Sequence, residues 1–197
     1  MIAKIVLLIL AGEGYHPVEY GVTREILENA GIIVKVACDK KTASARPSIN
    51  HSAVCTDPAC NTVADEYPQF AHARVDLLVK DIDPAQFDGI FIIGGPGAME
   101  FLDNEQIYTL MQKVALSGKP YGAICVAPRI LAHAGILTHK KATGWNGDGK
   151  LPSILQGHKA SYQNSPVVID SLLITADGPW SAQLFGEAII KVIADKK

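Results

Sequence analysis

Strong charge of one sign is missing from this chain. Its 197 residues carry 18 Lys and Arg against 20 Asp and Glu, a formal net charge of −2, and no stretch is strongly basic. That removes the electrostatic footprint of a nucleic-acid binder or of a protein drawn to an anionic membrane. Long apolar runs are missing too. None approaches the roughly 20 residues needed to cross a bilayer. The apolar run Ile5–Ala11 stops at Gly12-Glu13-Gly14 after a strand's length, without the longer run and small-residue cleavage site of a signal peptide. A cytoplasmic protein with no membrane or nucleic-acid partner is expected. Cysteine is scarce, four residues in all (Cys38, Cys55, Cys60, Cys125), and a cytosolic chain of this size does not need disulfides. His51, Cys55 and Cys60 lie close together, but their spacing is not of the CxxC type and no second ligand pair follows. They read as a surface loop with free thiols, and no metal is expected.

What is present is a hydrophobic content of 48%, enough for one packed domain. Residues 3–10 form a continuous apolar run, as in a strand buried on both faces. Residues 17–29 have helical spacing (Val18, Val22, Ile26, Leu27) and Gly31 stops them. Residues 32–38 make the next strand, completing a βαβ unit whose strands are parallel. Residues 39–74 are irregular and hold Pro47, Pro58 and Pro68. Beyond them the pattern predicts a short strand at 75–79, a helical turn at 83–88, a strand at 89–93, a helix at 103–117 and a strand at 121–124. A helix at 128–134, a short strand at 142–144, strands at 167–169 and 172–175, and a closing helix at 181–194 complete it. Alternating strands and helices imply an α/β fold, with a mostly parallel central sheet and helices on both faces.

In such a sheet, ligands bind beyond the carboxyl ends of the strands. There Gly122-Ala123-Ile124 runs straight into Cys125, and a helix begins at once with Pro128 in its first turn. A nucleophile so placed projects from a tight turn. The helix N-terminus and free N–H groups favour a thiolate, so the thiol pKa is expected to fall. The alternative from spacing alone is a buried structural cysteine. Gly94-Gly95-Pro96-Gly97 ends a neighbouring strand, and the N–H groups of Gly95 and Val126 can form an oxyanion hole. It is no phosphate loop, since the Lys-Ser/Thr ending is absent. Glu19, at the first strand-to-helix crossing, can donate a hydrogen bond to a thiol or shuttle a proton; the alternative is a first-turn glutamate favouring the helix dipole. His16 and His158 are possible acid/base partners. His133, two turns into the elbow helix, is expected to point away.

These residues resemble the ThiJ/PfpI superfamily, which includes the human parkinsonism-associated deglycase, archaeal intracellular proteases and bacterial glyoxalases. The segment Gly118–Leu137 looks like its nucleophile elbow and Ile90–Ala98 like its Gly-Gly oxyanion strand. Glu19 matches the family's glutamate before Ala30-Gly31, and Ile174–Pro179 matches the last strand and turn. The resemblance covers residues 1–38 and 75–197. It implies one ThiJ/PfpI-like (class I glutamine amidotransferase-like) domain over 1–197 with a flavodoxin-like three-layer sandwich, 39–74 being an irregular insertion. It implies Cys125 and Glu19 as the catalytic pair, no cofactor, and a homodimer or larger homo-oligomer. Val126 stands where the family's proteases and amidases carry His, and Ala142-Thr143-Gly144-Trp145 lacks the His that other members use. The elbow looks closest to ElbB-like glyoxalases.

Three functions follow from these residues and the resemblance. The first is a glutathione-independent, glyoxalase- or deglycase-like enzyme whose Cys125 attacks small reactive carbonyls. The second is a redox-sensing or protein-protective module with little turnover, linked to oxidative stress through an accessible, low-pKa thiol. The third is an intracellular cysteine peptidase or amidase, which Val126 disfavours.

Overall fold

The computed structural model describes residues 3–40, 46–47 and 68–196. Strands are β1 (Ile5–Leu10), β2 (Glu13–Tyr15), β3 (Ile33–Cys38), β4 (Arg46–Pro47), β5 (Leu77–Leu78), β6 (Gly89–Ile92), β7 (Tyr121–Ile124), β8 (Lys141–Ala142), β9 (Ser161–Tyr162), β10 (Val167–Asp170) and β11 (Leu173–Ala176). Helices are α1 (Pro17–Asn29), α2 (Glu105–Leu116), α3 (Pro128–His133), α4 (Leu151–Gly157) and α5 (Ala182–Asp195). Seven strands form the central sheet in the order β10-β11-β7-β6-β1-β3-β5. All neighbours are parallel except the β10–β11 hairpin.

The apolar run at the start of the chain becomes β1, paired on both edges: Leu7 lies opposite Lys35 of β3 and Ile90 of β6. Residues 6–10 are fully buried, which requires cover on both faces of the sheet. Helices α1 and α5 pack together, and α2 packs with α3 against β7. In the core, the rings of Phe91 (β6) and Phe185 (α5) meet edge to face at 5.8 Å. This is the mostly parallel, helix-covered α/β fold expected of the sequence.

Some elements depart from the sequence reading. Glu13–Tyr15 pairs with Arg46–Pro47 in a two-stranded ribbon beside the sheet. Lys141–Ala142 pairs with Ser161–Tyr162 in another. Helix α4 lies where the sequence reading places no element, between the strands expected at 142–144 and 167–169. Its apolar positions Leu151, Ile154 and Leu155 have the helical spacing, but the seven-residue length is too short for periodicity to stand out. Residues 98–102 form a π turn, so the following helix begins at Glu105, capped by Asn104. Residues 41–45 and 48–67, with His51, Cys55 and Cys60, lie outside the described residues. Among the described residues no group of His, Cys, Asp or Glu is arranged to hold a metal ion, and no helix is long and apolar enough to cross a membrane.

Candidate active site

The carboxyl ends of β1, β6, β7 and β11 converge on Cys125. This residue leaves β7 with φ of 63°, a backbone state that a side chain with a Cβ adopts rarely. Two opposed bonds hold it there. Its N–H donates to the Ala176 carbonyl at the end of β11 (2.9 Å), and its carbonyl accepts from the Trp145 N–H (2.7 Å). Strand, tight turn and helix α3 follow one another directly, the geometry of a nucleophile elbow.

Glu19 reaches the same point from the first turn of α1. Pro17 opens that helix and His16 is its N-cap. A helical side chain leans back toward the N-terminus of its helix, which carries Glu19 under the Gly94 turn. Its Oε2 accepts from the Gly94 N–H at 3.0 Å, and its carboxyl is hydrogen-bonded with the Cys125 thiol. A glycine is required at position 94: a Cβ there would stand 2.7 Å from the Cys125 Cβ and 2.8 Å from Glu19 Oε2. The loop is tied to α1 again by the His16 N–H, which donates to the Gly94 carbonyl at 3.1 Å.

The electrostatics follow from burial. Glu19 is 0% exposed. Loss of hydration pushes its carboxyl up to about 8, aided by the charge of Asp177 and opposed by the thiol and the Gly94 N–H. At neutral pH this carboxyl holds a proton. Cys125 is 7% exposed, and burial drives its thiol well above the ordinary range. An ionised Glu19 would drive it further, while the N–H groups of Gly95 and Val126 pull the other way. The expectation of a lowered thiol pKa is therefore corrected. Helix α3 has only six residues, and its N-terminus does not offset the desolvation of a buried thiolate. Glu19 and Cys125 are joined by a hydrogen bond, and ionising the carboxyl opposes ionising the thiol.

The structure thus brings together Cys125, Glu19, Gly95 and Val126. His16 is 3% exposed and shares the Gly94 loop through its backbone. His158 is not brought to the thiol. It follows α4 and lies against His133 at the far end of α3, their ring centroids 5.4 Å apart. There His133 Nδ1 contacts Asp103 Oδ1 at 2.8 Å, and the Tyr108 hydroxyl donates to the same oxygen at 2.6 Å. His158 is carried there because α4 turns the chain away from the sheet's carboxyl edge, a helix the sequence reading lacks. His133 points away from the elbow, as its place two turns along α3 implies.

Sequence reasoning missed Asp177, whose charge acts on Glu19 and whose Oδ1 accepts from the Ser181 hydroxyl at 2.5 Å. It lies in the turn after β11, within the Ile174–Pro179 segment, but only the sheet order puts β11 beside the elbow strand. Sequence reasoning singled out Ala142–Trp145 only for its lack of His, and so missed that the loop 144–150 meets the elbow through the Trp145 N–H.

The sequence matches the model of the DJ-1/PfpI family over residues 4–192. It is 35% identical over 120 residues to an uncharacterized protein of Methanocaldococcus jannaschii, covering 60% of this chain and 58% of that one. It is 31% identical over 118 residues to the glutathione-independent glyoxalase DJR-1.2 of Caenorhabditis elegans, covering 60% and 61%. The chain thus spans about three fifths of the length of these curated relatives. Among solved structures, Drosophila melanogaster DJ-1beta superposes with a TM-score of 0.75 at 25% identity, covering 99% of this chain and 92% of that one.

Proposed function

This chain belongs to the DJ-1/PfpI family, and from that premise we propose that it is a cysteine-dependent enzyme converting small reactive carbonyls such as methylglyoxal to hydroxy acids without glutathione. The observation that carries this reading is the buried Glu19 carboxyl, raised to about 8 and hydrogen-bonded with the Cys125 thiol. A group poised near neutrality is suited to both giving and taking a proton.

The steps use only this pair, the two N–H groups and water. The Cys125 sulfur attacks the aldehyde carbon, and the carbonyl electrons move onto oxygen, held by the Gly95 and Val126 N–H groups. Glu19 gives its proton to that oxygen as it takes the thiol proton, leaving a hemithioacetal. Glu19, left protonated by that exchange, releases its proton to water. Ionised, it removes the proton from the former aldehyde carbon and returns it to the adjacent carbon. Meanwhile the hemithioacetal hydroxyl proton passes through water to the neighbouring oxygen, which becomes the product hydroxyl, and Glu19 regains its proton from water. The product is a thioester. Water cleaves it, releasing a lactate-like acid and regenerating the thiol, so the net reaction is carbonyl plus water. The burial of Cys125 and its raised pKa do not favour the redox-sensor alternative, which needs an accessible thiolate.

The test is acid formation from methylglyoxal in the absence of glutathione, with Cys125→Ser and Glu19→Gln alongside. Cys125→Ser should abolish turnover, and Glu19→Gln should lower it by about 100-fold or more. Turnover should rise with pH toward about 8 as Glu19 ionises. A wild-type protein with no turnover, or a Cys125→Ser variant that keeps it, overturns the reading. Self-association as a homodimer belongs to the same proposal, and light scattering behind size-exclusion chromatography measures it.

A further inference from the structure

The peptide between Cys125 and Val126 is held from the side opposite the thiol. In a trans peptide the carbonyl and the following N–H point in opposite directions. The carbonyl is that of Cys125, drawn outward by the Trp145 N–H at 2.7 Å. The N–H is that of Val126, which bonds the Cys125 sulfur. Whatever fixes Trp145 therefore fixes the aim of one oxyanion donor.

Trp145 is fixed from α3 itself. Arg129, four residues after the nucleophile, is only 9% exposed. Its Nη1 donates to Asp148 Oδ2 at 3.0 Å and its Nη2 to Asp148 Oδ1 at 2.7 Å, a planar fork-to-carboxylate pair. Nη2 also donates to the Trp145 carbonyl at 3.3 Å, and the guanidinium lies 5.5 Å from the Trp145 ring centroid. Asp148 Oδ1 accepts from the Lys150 N–H and Asn146 Oδ1 from the Leu151 N–H, joining the loop to α4. The loop sits so close that a Cβ on Gly144 would come within 2.9 Å of the Cys125 carbonyl oxygen.

We propose that Arg129 and Asp148 are positioning residues: their ion pair braces the loop 144–150 so that Trp145 orients the Cys125–Val126 peptide and points the Val126 N–H at the reacting oxygen. The turnover part of this inference rests on the carbonyl reading above; the thiol-reactivity part does not. The brace explains how a turn with φ of 63° keeps one geometry. Neither residue touches the substrate.

The test compares wild type, Asp148→Asn, Arg129→Lys and Asp148→Glu. Each is first checked by thermal unfolding, and Cys125 is followed by site-resolved iodoacetamide alkylation across pH. A misdirected Val126 N–H stabilises the thiolate less. Asp148→Asn and Arg129→Lys should therefore alkylate about tenfold more slowly at pH 8, with the midpoint moved to higher pH. The acidic groups of the site, Glu19 and Asp177, are untouched by these changes. Turnover of methylglyoxal should fall about tenfold or more in kcat while KM changes by less than about twofold. Asp148→Glu, which keeps the fork, should recover part of both. Folded Asp148→Asn and Arg129→Lys proteins that alkylate as fast as wild type, or faster, overturn the proposal, since the loop would then merely cover the thiol. A wild type without turnover defeats the carbonyl reading alone and leaves the alkylation comparison to decide this one.

Discussion

Cys125 and Glu19 sit 106 positions apart in the chain and are hydrogen-bonded to one another in the fold. The residue type and the strand–turn–helix context of Cys125 were legible in the sequence, because a strand running into a proline-opened helix leaves only a tight turn for the residue between. The sign of its titration was not legible, because burial is a property of everything packed around it. The same burial makes Glu19 a stability determinant. Its pKa is raised from 4.5 to about 8 in the folded chain, so between those values the native state holds a proton that the unfolded state has released. Stability is full below about pH 4.5 and falls as pH rises through that window, by roughly 1.4 kcal/mol per pH unit from this group. Glu19→Gln removes the ionisation. It should raise the melting temperature at pH 8 while leaving it nearly unchanged at pH 4, and scanning calorimetry at the two pH values reads the difference. An equal shift at both would mean that burial of this carboxyl does not control its proton.

At the scale of the element, helix ends and short ribbons decide where side chains point. Helix α2 is started by Asn104, whose Oδ1 accepts from the N–H groups of Gln106 and Ile107 at 3.1 and 3.2 Å. Asn104→Ala should cost about 1 kcal/mol in urea unfolding with no change in thiol alkylation, since α2 packs behind the elbow rather than at it. Helix α1 and the buried strands β1, β6 and β7 were legible because their apolar periodicity is long or unbroken. Helix α4, strand β9 and its pairing with β8 were not, although the strand expected at 142–144 is found as β8 at Lys141–Ala142. They are a few residues long, and what stabilises them is non-local: the Thr143 N–H donating to Thr175 Oγ1 at 2.9 Å, and the Asp170 carboxylate accepting from the Lys141 N–H at 2.8 Å. With α4 unseen, His158 stayed a site candidate; α4 delivers it to His133 instead.

At the scale of the whole molecule, the sheet order brings the ends of β1, β6, β7 and β11 together, and the core makes that order rigid. Phe91 and Phe185 join the sheet to α5 at its centre, both 0% exposed. Phe91→Ala should cost about 3–5 kcal/mol by denaturant unfolding and lower turnover only in proportion to the unfolded fraction. A folded Phe91→Ala protein with a tenfold slower alkylation of Cys125 would show that the core, and not only the loop brace, sets the elbow.

The sequence by itself determined the fold class, the elbow at Cys125 and the glycine turn facing it. These rest on local chemistry: apolar runs that must be buried on both faces, prolines that open helices, and a glycine where no Cβ fits. The tertiary structure alone decided the proton balance of Glu19 and Cys125, the approach of Asp177, the removal of His158 from the site, and the Arg129–Asp148 brace behind Val126. Each depends on desolvation or on contacts between residues distant in the chain. No pattern along one segment encodes the dielectric it will be buried in or the neighbour that will face it.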